Sequence, residues 1–421
     1  MTRRIAYLTG DWHMKSGGPR EYPDMYGDAA FGLRQIVYYA TKNKLPVIAA
    51  GDLFHTKNPG LDIMVETMLF LKDLPGCYVQ GNHEKRCPSW MTLVAPHWVP
   101  LQDNMYEIPF SPRTLLDEYP DEKPNPEQEP LFDRDRTWLV HGLDYVLSIE
   151  ELQTGLDRLE AALCPASDTA NLLVLHQAAS PFQPKNYCEL LDGMLPDAID
   201  LVLIGDTHEA GIAPLESKSG RRIPCLSPGG TYIVKINENP NKKLYTLYAD
   251  GSIRSRPLLT RRRIVKTLRG MSDEQLYAVV EQLAEALRTG RKRPDEIAKP
   301  IVYLELDSET SVHAESILSD SFHDQAHLYF KRVTENEQPE SEPVDTDEID
   351  LDNHSGDRQV LDLLQKREED ETILRLVGFM LDNEPVYESY ERMKHHFLET
   401  YHVENQAGQA GELLQHHVGR R

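Results

Sequence analysis

Five short apolar runs in the first half of this chain each end on residues that can hold a cation, and that recurrence limits what the chain can fold into. Ile5–Thr9, Val47–Ala50, Cys77–Gln80, Leu172–His176 and Leu201–Gly205 have the length and content of buried strands. They run into Gly10-Asp11-Trp12-His13, Gly51-Asp52, Gly81-Asn82-His83-Glu84, His176-Gln177 and Gly205-Asp206-Thr207-His208. A sixth run, Trp138–His141, and helical stretches at Ala29–Lys42, Leu61–Leu74 and Ile149–Leu163 lie between them. Strands alternating with helices read as an α/β fold, in which ligands gather beyond the carboxyl ends of the strands. A lone Gly-Asp is usually a turn, and a lone strand-end histidine usually satisfies a hydrogen bond. Five such ends in order point instead to one metal site.

The donors are carboxylate, imidazole and amide oxygen with no thiolate, a set that suits Mn, Fe, Zn or Mg. In each Asp-x-His the alternate residues of an extended segment face the same side, so each pair can act together. The seven candidates Asp11, His13, Asp52, Asn82, His176, Asp206 and His208 exceed the needs of one ion. Two ions sharing a bridge, about 3.5–4 Å apart, are a recurrent device for hydrolysing phosphate esters.

Composition narrows the partners. A net charge of −23 excludes coating nucleic acid by bulk electrostatics, while leaving room for a local basic footprint. The five cysteines, Cys77, Cys87, Cys164, Cys188 and Cys225, form no C-x-x-C pair and read as reduced packing residues. There is neither a G-x-x-x-x-G-K-[ST] nor a G-x-G-x-x-G loop. No apolar run reaches the roughly 20 residues that span a bilayer. Met1-Thr2-Arg3-Arg4 leads straight into the first strand, so the expected location is the cytoplasm, with no membrane partner.

At 421 residues more than one domain is expected. Residues 111–136, rich in Pro, Asp and Glu, read as an exposed excursion. Ile223–Leu259 is β-rich, with a hairpin at Asp250-Gly251. After Arg261-Arg262-Arg263 comes a compact β-α-β-α-β pattern: Ile264–Leu268, Ser272–Arg288, Ile301–Leu306, a short helix near Ser311–Ser319 and Leu328–Val333. Residues 335–356 form an acidic linker, 357–402 a helical module around the apolar Ile373–Leu381, and 403–421 a polar tail. The expected division is therefore 1–260, 261–334, 335–356, 357–402 and 403–421.

The series D-x-H, G-D, G-N-H-E, H and G-x-x-H resembles the calcineurin-like metallophosphoesterase superfamily. Gly51-Asp52-Leu53-Phe54-His55 with Asn58-Pro59 resembles its SbcD branch of double-strand-break repair nucleases. The resemblance covers roughly residues 4–260 and implies a two-sheet α/β sandwich flanked by helices, with a small α/β capping domain and a C-terminal helical module. It implies two Mn2+ ions, with Mg2+ as the second choice. Asp11, His13, Asp52 and His208 would surround one, and Asp52, Asn82, His176 and Asp206 the other, with Asp52 bridging. His83 would be the catalytic histidine and His55 would orient it. Glu84 replaces the more usual Asp. Asp206 stands where the family has a histidine; as a third carboxylate it would make a harder site, favouring Mn or Mg over Zn, with a weaker hold on phosphate.

The implied activity is Mn-dependent exo- or endonucleolytic hydrolysis at DNA ends. The basic clusters Arg261, Arg262, Arg263, Lys266 and Arg269, and Arg291, Lys292, Arg293, read as phosphate contacts. The resemblance also implies an SbcC-like ABC-type ATPase docked on the C-terminal helices, and a homodimer to which Phe70, Leu71, Leu74 or the Trp90–Trp98 region would contribute. The rivals are a metallophosphoesterase acting on nucleotides or phosphoproteins, and a DNA-end-binding scaffold with reduced catalysis.

Overall fold

The structure, a computed structural model, describes residues 2–15, 27–85, 89–109, 123–124, 130–163, 168–234, 238–289, 299–307, 322 and 326–333. The chain divides into two units, Met1–Gln338 and Pro339–Arg421, and the described residues all belong to the first. The expectations for the linker, the helical module, the tail, the helix near Ser311–Ser319 and Arg291, Lys292 and Arg293 lie outside the described residues.

Two mixed sheets face each other. In one, β1 (Arg4–Thr9), β2 (Val47–Ala50), β3 (Gly76–Val79) and β4 (Val99–Pro100) run parallel. On the other side of β1, β12 (Lys243–Tyr248), β13 (Ile253–Pro257) and β6 (Lys123–Pro124) continue it antiparallel, giving the order β4-β3-β2-β1-β12-β13-β6. The second sheet has the order β10 (Gly211–Glu216), β11 (Arg222–Ser227), β9 (Leu201–Gly205), β8 (Thr169–His176), β7 (Thr137–Leu143), β5 (Met105–Glu107), with β7, β8 and β9 parallel. The α/β class is the one that the strand–helix alternation predicts, and the two-sheet sandwich is the one that the family resemblance implies.

Alternation within the strands builds both cores. Ala170, Leu172 and Val174 of β8 and Leu201 and Leu203 of β9 fill the space between the sheets with Leu8, Ile48, Val79 and Trp138. Leu173 and Leu175, with Val202 and Ile204, face outward beneath Leu152 and Leu156 of α4 (Ile149–Ala162). Ser148 caps α4, its hydroxyl accepting from Glu151 N at 3.2 Å, with Glu150 and Glu151 in the positive first turn. Strands buried on both faces must be apolar at every position, which is why β1, β2, β8 and β9 are legible as continuous runs.

Against the first sheet lie α1 (Asp28–Asn43) and α2 (Leu61–Leu71), followed by the short α3 (Trp90–Val94). The second helix stops at Leu71, three residues short of the expected end. Leu71, Leu74, Trp90 and Trp98 are all buried and so cannot greet a second copy. Leu61, Val65, Met68 and Leu69 of α2 are the exposed apolar residues instead. The strand β10 is absent from the sequence reading, because Gly211 and Pro214 break its pattern; an edge strand tolerates both. The acidic excursion is partly tied back: Leu131 N and Phe132 N both donate to Asp250 O at 3.0 Å, and the two side chains pack on the inter-sheet core.

Beyond residue 260, β14 (Arg263–Thr267), β15 (Ile301–Asp307) and β16 (His327–Val333) form a separate parallel sheet beside α5 (Asp273–Thr289), with a core of its own around Leu276, Val280, Val302 and Leu304. Several contacts among the described residues join it to the sandwich, the Arg263 guanidinium donating to Glu238 O among them. Ile233 packs with Ile301, Tyr303 and Tyr329. Arg261 grips the Asp28 carboxylate at the start of α1 through Nε (3.0 Å) and Nη2 (2.5 Å), and donates from Nη1 to Lys299 O (3.0 Å).

Candidate metal centre

The carboxyl ends of β1, β2 and β3 and those of β8 and β9 open on the same edge of the sandwich, and the loops that follow are laced together. Asp11 N donates to Gly51 O (3.1 Å), His13 N to Asp52 O (2.8 Å) and Asp206 N to Asp11 Oδ1 (3.1 Å). Six non-glycine residues among those described have positive φ, and four of them are candidate ligands: Asp11 (49°), His13 (41°), Asp52 (48°) and Asp206 (71°). Asp and His tolerate this region better than most residues, yet each such bend still costs on the order of 1 kcal/mol. Such concentrated strain marks loops whose side-chain directions matter. Two glycines are required by space: a Cβ on Gly81 would collide with Asp52 Oδ1, and one on Gly205 with Ala50 O and His176 Nδ1.

Asp52 sits in the middle. Its Oδ2 lies 3.3 Å from His176 Nε2, 3.6 Å from His13 Nε2 and 3.9 Å from His83 Nε2. On one side, His13 Nε2 faces His208 Nε2 at 3.1 Å. On the other, His176 Nε2 is 3.2 Å from Asn82 Oδ1 and 3.8 Å from Asp206 Oδ1. Donor atoms of Asp11, His13 and His208 converge in one group, and those of Asp11, Asp52 and His176 in another. Asp11 therefore touches both groups, and Asp206, more exposed at 27%, stands at the rim.

These residues fit two divalent cations on the strength of their own contacts. His176 Nδ1–H donates to Ala50 O (2.7 Å) and His208 Nδ1–H to Glu238 Oε1 (2.8 Å). Each ring thus turns its Nε2 lone pair inward, the arrangement in which metal-bound histidines are held. Buried Asp11 Oδ2 has no hydrogen-bond partner. Without a cation the site is short of positive charge. Burial, reinforced by neighbouring Asp52 and Asp206, pushes the Asp11 carboxyl up to about 7. Burial also favours the charged form of Asp52 least, yet the adjacent His176, His13 and His83 rings hold it well below the usual carboxylate range. Desolvation keeps His13 neutral, as a ligand must be.

His83 and His55 stand beside this cluster. His83 Nδ1–H donates to the main-chain oxygen of His55 (2.9 Å), and the two rings stack with centroids 5.3 Å apart. The orienting contact is thus the His55 backbone together with the face of its ring. With its Nδ1 committed, His83 turns Nε2 toward Asp52 Oδ2 at 3.9 Å, and its side chain is 28% exposed. Glu84 is buried beneath: Oε2 accepts from Phe54 N (2.6 Å) and Oε1 from Gly81 N (3.4 Å), pinning the β2 loop to the β3 loop.

Three contributors carry no sequence signal. Glu238 orients His208, Lys242 Nζ pairs with Glu238 Oε2 (2.7 Å), and Tyr232 OH donates to His13 O (3.1 Å). They lie in irregular chain about 30 residues or more from the ligands they serve, and no spacing rule ties them to the strand ends.

The basic residues divide. The Arg261 side chain, 6% exposed, is committed to Asp28 and Lys299, so it braces two parts of the chain and does not offer a phosphate contact. Arg263 Nη2 donates to Glu238 O, and Arg269 lies 3.6 Å from Glu305. Arg262 is half-buried and Lys266 exposed. Cys77, Cys188 and Cys225 are buried free thiols, as packing residues should be. Among the described residues no helix is long and apolar enough to cross a membrane.

Residues 6–210 match the family model of the calcineurin-like phosphoesterases. The chain is similar to the DNA double-strand break repair protein Mre11 of Methanosarcina acetivorans, 26% identical over 291 residues that cover 65% of this chain and 40% of that protein. It is similar also to the Mre11 proteins of Halobacterium salinarum, 30% identical over 179 residues (40% of this chain, 38% of that protein), and Methanosarcina mazei, 27% identical over 297 residues (65% and 40%). The chain thus spans about two fifths of the length of the curated relatives it matches.

Proposed function

We propose, from the match of residues 6–210 to the calcineurin-like phosphoesterases and the likeness to Mre11 proteins, that this chain is a dinuclear-metal phosphodiesterase that cleaves DNA at its ends. The observation that carries the reading is Asp52 Oδ2, within 4 Å of the Nε2 atoms of three histidines. Asp11, His13, Asp52 and His208 would hold one ion, Asp52, Asn82 and His176 the other, with Asp11 near both and Asp206 completing the second from the rim. Mn2+ is the favoured ion and Mg2+ the next, because oxygen donors are numerous and thiolates absent. When bound, the ions polarise the phosphate and lower the pKa of the attacking water.

The chain's own residues supply the rest. His83, its Nδ1–H anchored on His55 O, presents Nε2 to a phosphodiester at the opening. As an imidazolium it would hydrogen-bond a non-bridging oxygen and pass its Nε2 proton to the departing alkoxide. The His55 ring, stacked on it, restricts its rotation. The remaining proposals concern the whole assembly: an SbcC-like ABC-type ATPase docked through residues 357–402, the 261–334 unit as a capping domain beside the DNA, and a homodimer through α2. Leu61, Val65, Met68 and Leu69 follow helical spacing and are 39–56% exposed, a stripe suited to a second copy.

One observation favours a smaller phosphoester as the rival substrate: Arg261 is consumed by Asp28, which thins the basic patch. The deciding experiment digests end-labelled linear DNA with Mn2+ or Mg2+, using wild type and His83→Ala, with bis-p-nitrophenyl phosphate in parallel. Cleavage of both substrates, lost in the variant, is expected. Hydrolysis of the small ester with intact DNA would remove the nuclease reading.

A further inference from the structure

Glu238 lies outside the strand ends and belongs to no ligand motif, yet it is buried, only 7% exposed, and its carboxylate meets one of the candidate ligands. Its Oε1 accepts from His208 Nδ1 at 2.8 Å. Its Oε2 accepts from Lys242 Nζ at 2.7 Å and from Val234 N at 3.1 Å. Lys242 Nζ also donates to His208 O at 3.3 Å, so the pair holds both the ring and the main chain of His208. A buried carboxylate–ammonium pair is costly to desolvate and is kept where its geometry is used. The main-chain oxygen of Glu238 in turn accepts from the guanidinium of Arg263, the first residue of β14. A chain of bonds therefore runs from the 261–334 unit to the inner face of the metal centre.

We infer that Glu238 is a positioning residue: it selects the Nδ1-protonated form of His208, holds that ring with Nε2 facing His13, and ties the ring to the strand that begins at Arg263. The inference rests on the dinuclear reading for its consequence in metal binding, but not for the ring's protonation. Removing the carboxylate frees the imidazole to rotate or to shift its proton to Nε2, where it blocks a ligand position. Partners of this kind contribute about 10–100-fold to metal affinity. Only the ion shared by His13 and His208 should feel the loss, since His176 is held separately by Ala50.

The test titrates Mn2+ calorimetrically into the metal-free full chain, comparing wild type with Glu238→Ala, Glu238→Gln and Arg263→Ala. Wild type should bind two ions. Glu238→Ala should lose about 10–100-fold in affinity for one and leave the other unchanged, a split that general loosening would not produce. Glu238→Gln retains an acceptor oxygen and should lose less, and Arg263→Ala least. Long-range 15N–1H spectra of the metal-free protein, recorded at a pH high enough for the ring to be neutral, read the tautomer directly: His208 should be Nδ1-protonated in wild type and mixed in Glu238→Gln. Two ions bound with wild-type affinities in both Glu238 variants would overturn the inference; should Glu238→Ala fail to fold, Glu238→Gln decides. A wild type that binds no divalent ion would sink the dinuclear reading instead, and the His208 spectrum would still decide the role of Glu238.

Discussion

The imidazole of His176 donates from Nδ1 to the carbonyl oxygen of Ala50 at 2.7 Å, and this bond joins the last residue of β8 in one sheet to the last residue of β2 in the other. It closes the sandwich at the site and aims His176 Nε2 at Asp52. The contact depends on Gly205, which has no room for a side chain between the two groups. Gly205→Ala should cost on the order of 1–3 kcal/mol through overpacking and displace the ring. Calorimetric melting and Mn2+ stoichiometry measured together would show a lower Tm with one ion weakened; a wild-type profile would mean that the sheets part without consequence.

His83 should matter for turnover more than for metal. It sits 3.9 Å from Asp52 with its Nδ1 committed to His55, so removing it leaves the Asp11–His13–His208 and Asp11–Asp52–His176 groups intact and takes a member only from the third, His13–His55–His83. His83→Ala is expected to lower kcat by about 10²–10⁴-fold while Mn2+ affinity stays within about twofold, the range below which the metal centre counts as untouched. Equal losses in both would make His83 a ligand.

Metal loading should depend on pH through Asp11. Burial pushes its carboxyl up to about 7 in the metal-free protein, so below that pH a proton occupies the position an ion needs. The sign follows: affinity rises with pH, and binding at pH 6 releases a proton. The Asp11 proton alone predicts about tenfold weaker Mn2+ binding at pH 6 than well above pH 7, and the carboxylates that raise His176 and His208 add further protons for the ions to displace. Titrations in two buffers of different ionisation enthalpy measure the release; affinity flat between pH 6 and 8 would contradict the assignment.

Arg261 and Lys266 should separate stability from nucleic-acid binding. Arg261→Ala strands the largely buried Asp28 carboxylate and should cost about 3 kcal/mol in urea unfolding, with little change in the salt dependence of DNA binding. If exposed Lys266 meets phosphate, Lys266→Ala should reduce the salt slope by about 1 without altering stability. The reverse pattern would restore Arg261 to the DNA interface.

The exposed stripe of α2 predicts an association that a single charge can break. Leu69→Glu places a carboxylate on a residue 56% exposed, so the fold should tolerate it while a dimer should not. Sedimentation velocity of the full chain would then move from dimer to monomer at unchanged Tm. A wild type that is monomeric at all concentrations would remove the α2 interface.

The chain announced its strands and its ligands because both are local. β1, β2, β8 and β9 are buried on both faces, which demands unbroken apolar runs, and the ligands are the very next residues, so run and ligand could be read in one window. Even the parity that puts His176 on the same face as Leu172 and Val174 follows from the two-residue period of a strand. The tertiary structure alone decided what depends on distant segments meeting. β1 lies beside β12, more than 230 residues onward, and no local pattern names that neighbour. Asp11 adjoins both ligand groups only because the β1 and β2 loops lace together with left-handed bends. Glu238 acquires its part by packing beneath His208, and Arg261 its partner by reaching α1. Burial and spacing are written along the chain; the free energy of an ion pair or a second-neighbour hydrogen bond exists only once folding has brought its two ends together.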